Sequence, residues 1–208
     1  MSTKKKVLVT GAAGFLGSHL AEKLVYLGHK VIGIDNMLGG YEDNVPKGIE
    51  FHNGDCCNFE KVKSIMKGVE VVYHCAATAH EGLSVFSPYE ITKNNYLASV
   101  SIFSAAVNEK VKRIIFCSSM ARYGNQATPF TEKMNPSPVD PYAISKVASE
   151  EVLKNLCELN KIEWVIAVPH NIIGPRQKYD DPFRNVMSIM LNRMLQGKQP
   201  IIYGDGLQ

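Results

Sequence analysis

The chain has 208 residues, 45% hydrophobic and 21% charged, and carries a net charge of +3 at pH 7. That is the composition of one soluble globular domain with a sizeable core, and it excludes a disordered or fibrous chain. No apolar run is long enough to span a membrane, no hydrophobic signal core opens the chain, and the Lys4-Lys5-Lys6 run has no aromatic-interleaved basic patch to extend it, so neither a membrane nor a nucleic acid is expected as partner.

In chain order, Val7-Leu-Val-Thr10 reads as a buried strand running into three glycines spaced three apart, Gly11, Gly14 and Gly17. Leu16, Leu20, Leu24 and Leu27 then recur at helical spacing up to Gly28, so the strand turns sharply into an amphipathic helix. Lys30 to Asp35 is a second strand, and Ile49 to Asp55 a third. Asn58 caps a helix to Lys67, Glu70 to Cys75 is strand four, and about 88 to 110 is one long helix. Arg113 to Ser119 is strand five, Asp140 to Leu159 a second long helix, and Glu163 to Val168 strand six. Strands alternating with helices imply a parallel sheet with helices on both faces. Past strand six comes a loop, then a helix over 182–196 and a short strand over 200–203. A closing strand with nothing to pair suggests a truncated chain.

The glycine pattern has a chemical reason. Gly11 permits a tight turn, Gly14 lets a ligand approach the main chain, and Gly17 lets the helix lie close to the sheet. Unpaired amides and a positive dipole end then suit a pyrophosphate. Asp35, eighteen residues after Gly17 at the end of the second strand, can accept both hydroxyls of an adenosine ribose and repels a 2′-phosphate, which favours NAD over NADP. Tyr142 and Lys146 lie four apart on one helix face, where an ammonium would favour the phenolate and lower the tyrosine pKa toward neutrality. Ser118 and Ser119 end strand five and point hydroxyls into the crevice. The five cysteines (Cys56, Cys57, Cys75, Cys117, Cys157) form no Cys-x-x-Cys pair, and the six histidines show no ligand spacing with them. Reduced thiols in a cytoplasmic protein with no metal centre are expected.

Together these residues resemble the extended short-chain dehydrogenase/reductases, the NAD-dependent sugar-nucleotide epimerases and dehydratases, and in particular the UDP-glucose 4-epimerase type. The matching positions are Gly11-x-x-Gly14-x-x-Gly17, Asp35-Asn36 with Gly40, Gly54-Asp55-Cys56, His74-Cys-Ala-Ala77 and Ser84 through Pro88. They continue with Asn95, Ser118-Ser119 through Tyr123-Gly124, Tyr142 with Lys146, Asn171 through Gln177, and Tyr203 through Gln208. The resemblance implies a Rossmann-type doubly wound α/β domain over 1–170 and the beginning of a smaller substrate domain over 171–208. It implies that NAD is held by Gly11, Gly14, Phe15, Leu16, Gly17, Asp35, Asn36, Gly40, Asp55, Cys56, Cys75, Ala76, Ala77, Asn95, Cys117, Tyr142, Lys146 and Pro169. Ser84, Ser119, Tyr142 and Asn171 would meet the substrate, with Tyr142, Lys146 and Ser119 catalytic.

The implied reaction is oxidation of a sugar hydroxyl, usually at C4 of a UDP-sugar, with hydride returned to the opposite face. Dehydratases of the family carry Asp-Glu after the strand-five hydroxyl, and decarboxylases keep the glutamate; here Met120 and Ala121 stand there and cannot move protons. Epimerisation is therefore favoured over dehydration, decarboxylation or a non-catalytic NAD-sensing role. His80 resembles a residue of the dehydratase-like branch, but is expected to be a solvent-facing loop residue. A homodimer through the two long helices is also implied.

Overall fold

Six strands run parallel in one sheet, in the spatial order β3-β2-β1-β4-β5-β6. They are β1 Lys6–Thr10, β2 Lys30–Asp35, β3 Glu50–Asn53, β4 Val71–His74, β5 Arg113–Cys117 and β6 Glu163–Ala167. The computed structural model describes residues 4–181, 186–202 and 204–206. This strand order is the doubly wound one, and it reverses direction between β1 and β4. The crevice beyond the carboxyl ends of those two strands is where such sheets hold ligands, and the fold matches the sequence expectation.

The period of two along β1 separates the two faces. Val7 and Val9 pack against Ala21 and Leu24 of α1 (Phe15–Tyr26). Leu8 turns the other way, into a cluster with Ile32, Ile34, Phe103, Phe116 and Leu153. That second face is covered by α2 (Phe59–Met66), α5 (Ala98–Asn108) and α6 (Pro141–Asn160). Each fully buried Leu, Ile or Phe contributes about 1.5–3 kcal/mol, so this face carries most of the hydrophobic stabilisation.

Caps set the helix starts. Asn58 accepts from the Lys61 amide at 3.1 Å and opens α2. Asp140 accepts from the Ala143 amide at 2.9 Å, with Pro141 preset for the first turn of α6. No side chain caps α1. Its first-turn residues Phe15, Leu16 and Gly17 line the crevice.

Several expectations change. The long helix over 88–110 is interrupted: α4 (Pro88–Thr92) passes through a π turn at Lys93–Leu97 before α5. The extra residue seats Asn95 inward, at 1% exposure. Glu81–Ser84 forms a short α3 that the polar loop pattern hid. Strands three to six are one to three residues shorter than read, because their ends bend into the crevice loops. Pro200 to Ile202 form no strand, and Tyr203 and Gln208 lie outside the described residues, as do 182–185 of the expected last helix, which is seen as α7 over Val186–Leu195. Among the described residues no helix is long and apolar enough to cross a membrane.

Candidate active site

A cleft of about 490 Å³ opens at the carboxyl edge of the sheet. One end is built from backbone. Gly11 has φ +72°, and a Cβ there would lie 2.9 Å from the Ala76 nitrogen; a Cβ on Gly17 would lie 2.0 Å from the Gly11 oxygen. The loop is tied to β2 by the Gly11 amide donating to the Ile34 oxygen at 2.8 Å. Asp35, 8% exposed, accepts from the Ala13 amide through Oδ2 at 3.0 Å and from the Met37 amide through Oδ1 at 2.8 Å. A carboxylate has roughly four acceptor positions, so two remain for ribose hydroxyls. With the uncapped start of α1 beside it, this cradle fits a dinucleotide.

The other end is built from buried side chains. Thr10 Oγ1 accepts from the Cys75 amide at 3.1 Å and the Ala76 amide at 3.0 Å. Its proton must then go to His74 Nδ1, 2.7 Å away. That fixes the tautomer: His74 Nε2–H donates to Ser99 Oγ at 2.9 Å, which donates to the Asn95 oxygen at 2.5 Å. Burial, with the Lys146 charge nearby, pushes the His74 pKa down to about 3, so the ring stays neutral. Asn95 Oδ1 in turn accepts from the Thr78 amide at 2.7 Å, and Nδ2 donates to the Thr78 oxygen at 3.2 Å. The chain of bonds shapes the Cys75–Thr78 wall of the cleft.

Tyr142 and Lys146 occupy successive turns of α6 and are 6% and 3% exposed. Lys146 Nζ donates to the Cys117 oxygen at 2.8 Å and stands 6.0 Å from the Tyr142 ring centroid. Ser119 Oγ accepts from the Ala121 amide at 3.2 Å and is hydrogen-bonded to the Tyr142 phenol. The expected lowering of the tyrosine pKa is not what this arrangement gives. Burial pushes Tyr142 up to about 12, outweighing the Ser119 hydrogen bond. Burial also brings Lys146 down to about 8, against the Cys117, Cys75 and Glu150 charges that raise it. Desolvation, which sequence spacing does not reveal, is the larger effect at both groups.

Below this pair sits Glu150, fully buried. It accepts from the Ser118 hydroxyl and pairs with Arg122 at 3.1 Å. Glu150 thereby clamps the end of β5 and the 3₁₀ turn Met120–Tyr123 onto the helix that presents Tyr142. Its position, one further helical turn past Lys146, was the available sequence signal.

Most expected residues line the cleft: Gly11, Gly14, Phe15, Leu16, Gly17, Asp35, Asn36, Asp55, Cys56, Cys75, Ala76, Ala77, Cys117, Ser119, Tyr142, Lys146, Pro169 and Asn171. Three do not. Gly40 supports the glycine loop from behind, where a Cβ would meet the Ala13 oxygen at 2.3 Å. Ser84 is fully buried and donates to the Glu81 oxygen at 2.6 Å, and Asn95 holds Thr78 as described. His80, expected to face solvent, is 7% exposed, lines the cleft and meets Asp181 Oδ2 at 2.7 Å through Nε2. Thr10, Ser99, Arg122 and Glu150 went unrecognised in the sequence because their partners lie far along the chain. Among the described residues no group of three His, Cys, Asp or Glu side chains could hold a metal ion.

The segment after β6 forms the roof. Phe15 packs under Gly174, His19 Nε2 meets the Pro175 oxygen at 3.0 Å, and Arg176 pairs with Glu22 at 2.8 Å. Asn44 Nδ2 donates to the Ala13 oxygen at 3.1 Å and the Arg176 oxygen at 3.0 Å, joining roof to glycine loop.

Comparison with known proteins gives consistent matches. A model described as the NAD dependent epimerase/dehydratase family matches residues 7–208. A putative UDP-glucose 4-epimerase of Methanocaldococcus jannaschii is 37% identical over 207 residues, 97% of this chain and 67% of that protein. A UDP-N-acetyl-alpha-D-glucosaminuronate decarboxylase of Bacillus cytotoxicus is 32% identical, over 99% of this chain and 66% of its own length. The crystal structure of a Thermus thermophilus UDP-glucose 4-epimerase complexed with NAD superposes with a TM-score of 0.87 at 34% identity, covering 93% of this chain and 63% of that one. The chain thus spans about two thirds of the length of the curated relatives it matches.

Proposed function

The chain belongs to the NAD dependent epimerase/dehydratase family, and from that premise we propose that it carries the cofactor-binding and catalytic part of a nucleotide-sugar 4-epimerase acting on a UDP-sugar. The observation that carries this reading is one cleft joining the uncapped α1 start and Asp35 to Ser119, Tyr142 and Lys146. In this reading residues 1–170 are the NAD-binding domain and 171–208 begin the substrate-binding part, with a homodimer through α4–α5 and α6 in a cytoplasmic protein.

The first-turn amides of α1 would take the pyrophosphate, Asp35 the adenosine ribose, and Asp55 with Cys56 the adenine end. Bound NAD supplies the acceptor for the hydride of the sugar carbinol and the source of its return. Tyr142 takes the proton of the sugar hydroxyl and gives it back. Burial favours the neutral phenol, which suits the return step. The Ser119 hydrogen bond offsets part of that preference in the forward step. Met120 and Ala121, at the turn after Ser119, carry no proton-transferring group, and simple epimerisation requires none.

A second reading, a dehydratase of the same family, is favoured by His80 and Glu81, which both line the cleft. Burial, with the Asp140 charge adding to it, raises the Glu81 pKa, as suits a general acid.

The test is to offer the NAD-loaded protein UDP-, dTDP- and GDP-sugars and determine product mass and stereochemistry. An isomer of unchanged mass supports epimerisation and names the sugar. A product lighter by water or CO₂ moves the assignment to the dehydratase or decarboxylase branch. No product with NAD still bound would favour a sensing role. Tyr142→Phe is expected to cut turnover by about 10²–10⁴-fold while NAD stays bound; undiminished turnover would place the base elsewhere.

A further inference from the structure

Two of the five cysteines meet in the floor of the cleft. Cys117 ends β5, and Cys75 is the residue after β4. The register pairs His74 with Phe116, so Cys75 and Cys117 stand at the next position across two hydrogen-bonded strands. Their sulfurs are 3.7 Å apart. Neighbouring strands lie about 4.8 Å apart, inside the Cα separation of roughly 4.4–6.8 Å that a disulfide spans. Both residues line the cleft and are part-buried. Lys146 Nζ, bonded to the Cys117 oxygen at 2.8 Å, places a cation beside the pair.

We propose that Cys75 and Cys117 form a hydroperoxide-reactive dithiol that closes to a disulfide across the β4–β5 floor of the cleft. The reaction balances in two steps. The Cys117 thiolate attacks one oxygen of hydrogen peroxide, the O–O bond breaks, a sulfenic acid forms, and the leaving hydroxide takes up the proton that ionisation of the thiol released, giving water. The Cys75 sulfur attacks that sulfenic sulfur, the S–O bond breaks, and a second water leaves with the Cys75 thiol proton. Two thiols and one peroxide give one disulfide and two waters.

Selectivity follows from the surroundings. The hydrogen bond shared with Cys75 and the Lys146 charge outweigh burial and hold the Cys117 thiol below its ordinary range. Burial pushes Cys57 and Cys157 up to about 11, and Cys56 higher still. Of the five thiols, the one beside Lys146 is therefore the one favoured to ionise, and it is the thiolate that attacks.

The experiment is peroxide treatment of the purified protein near pH 7.5, capping with N-ethylmaleimide, and peptide mass mapping. The expected result is a Cys75–Cys117 cross-linked peptide, two hydrogens lighter than its separate thiol forms and reversed by dithiothreitol. Cys117 should be lost at least about tenfold faster than Cys57 or Cys157. In Cys75→Ser the cross-link should vanish and Cys117 sulfenic acid should persist long enough to be trapped by dimedone. Recovery of Cys75 and Cys117 as capped thiols, or a cross-link through Cys56 or Cys57 instead, would overturn the proposal. The wild-type map decides the matter even if the variant folds poorly, and it reads mass, independently of any sugar turnover.

Discussion

The two ends of the cleft are made of different materials. The α1 end is backbone brought close by missing side chains: Gly11, Gly17 and Gly40 each stand where a Cβ would press on a neighbouring main-chain atom. The α6 end is the opposite, a packed set of polar side chains, His74, Ser118, Lys146 and Glu150, all at most 3% exposed. The first depends on steric absence, and its information is local. The second depends on mutual satisfaction of buried groups, and its information is scattered. One Cβ should break the first, whereas removing one partner should break the second by stranding another.

The largest effect is expected from Gly17→Ala. Its Cβ would lie 2.0 Å from the Gly11 oxygen, a backbone atom that cannot swing aside. A loss of about 3 kcal/mol or more and failure to retain NAD should follow, checked by denaturant unfolding and cofactor content; near-native values would mean that the cradle is not close-packed. Glu150→Ala strands Arg122 and frees the Ser118 hydroxyl, and should cost about 3–5 kcal/mol. If Glu150→Gln recovers most of that stability, the hydrogen bond matters more than the charge. Thr10→Val keeps the shape but leaves two amides and His74 Nδ1 unpaired, at about 1–3 kcal/mol. It should loosen the Cys75–Thr78 wall without touching the glycine loop, which amide exchange would show; equal loosening of both ends would abolish the distinction between them.

A further effect is in the pH dependence of stability, none of which is present at neutral pH. Lys146 has a folded pKa of about 8 against an ordinary value of 10.5. Between those values the unfolded chain binds more protons, so its contribution makes stability rise with pH across about 8 to 10.5. Below 8 both states are protonated and the contribution is flat. Lys146→Met should remove that slope in unfolding curves taken at successive pH values. A slope equal to wild type would place the titration on another group.

The same contrast explains what the sequence disclosed. The glycine spacing, Asp35 and the βα alternation are short-range patterns; the parallel sheet with helices on both faces followed from them, whereas its strand order did not. Tyr142 and Lys146 were legible as a pair at helical spacing, yet their acidities were not, because desolvation depends on what folds over them. His80 is a polar residue in a loop by pattern, but the segment that buries it arrives a hundred residues later with Asp181. Glu150 reads as another charge on a long helix until Ser118 and Arg122 close on it. Asn95 and Ser84 were assigned ligand contacts from resemblance, whereas each directs its hydrogen bonds to neighbouring main chain or side chains.

The π turn at Lys93–Leu97 sets the angular phase between two helices that would otherwise be one rod. Before it, Ile91 packs with Ala121, Tyr142 and Ala143 at the start of α6. After it, Ile102 and Phe103 face the sheet. Each residue of an α-helix advances the azimuth by about 100°. If the same five residues were wound as plain α-helix instead, Ile91 would be rotated by about that angle away from Tyr142. A change of winding that leaves every side chain chemically intact would thus mis-aim the platform beneath the Tyr142 phenol, so the helix geometry through Asn95 constrains the site as firmly as the identity of any residue in it.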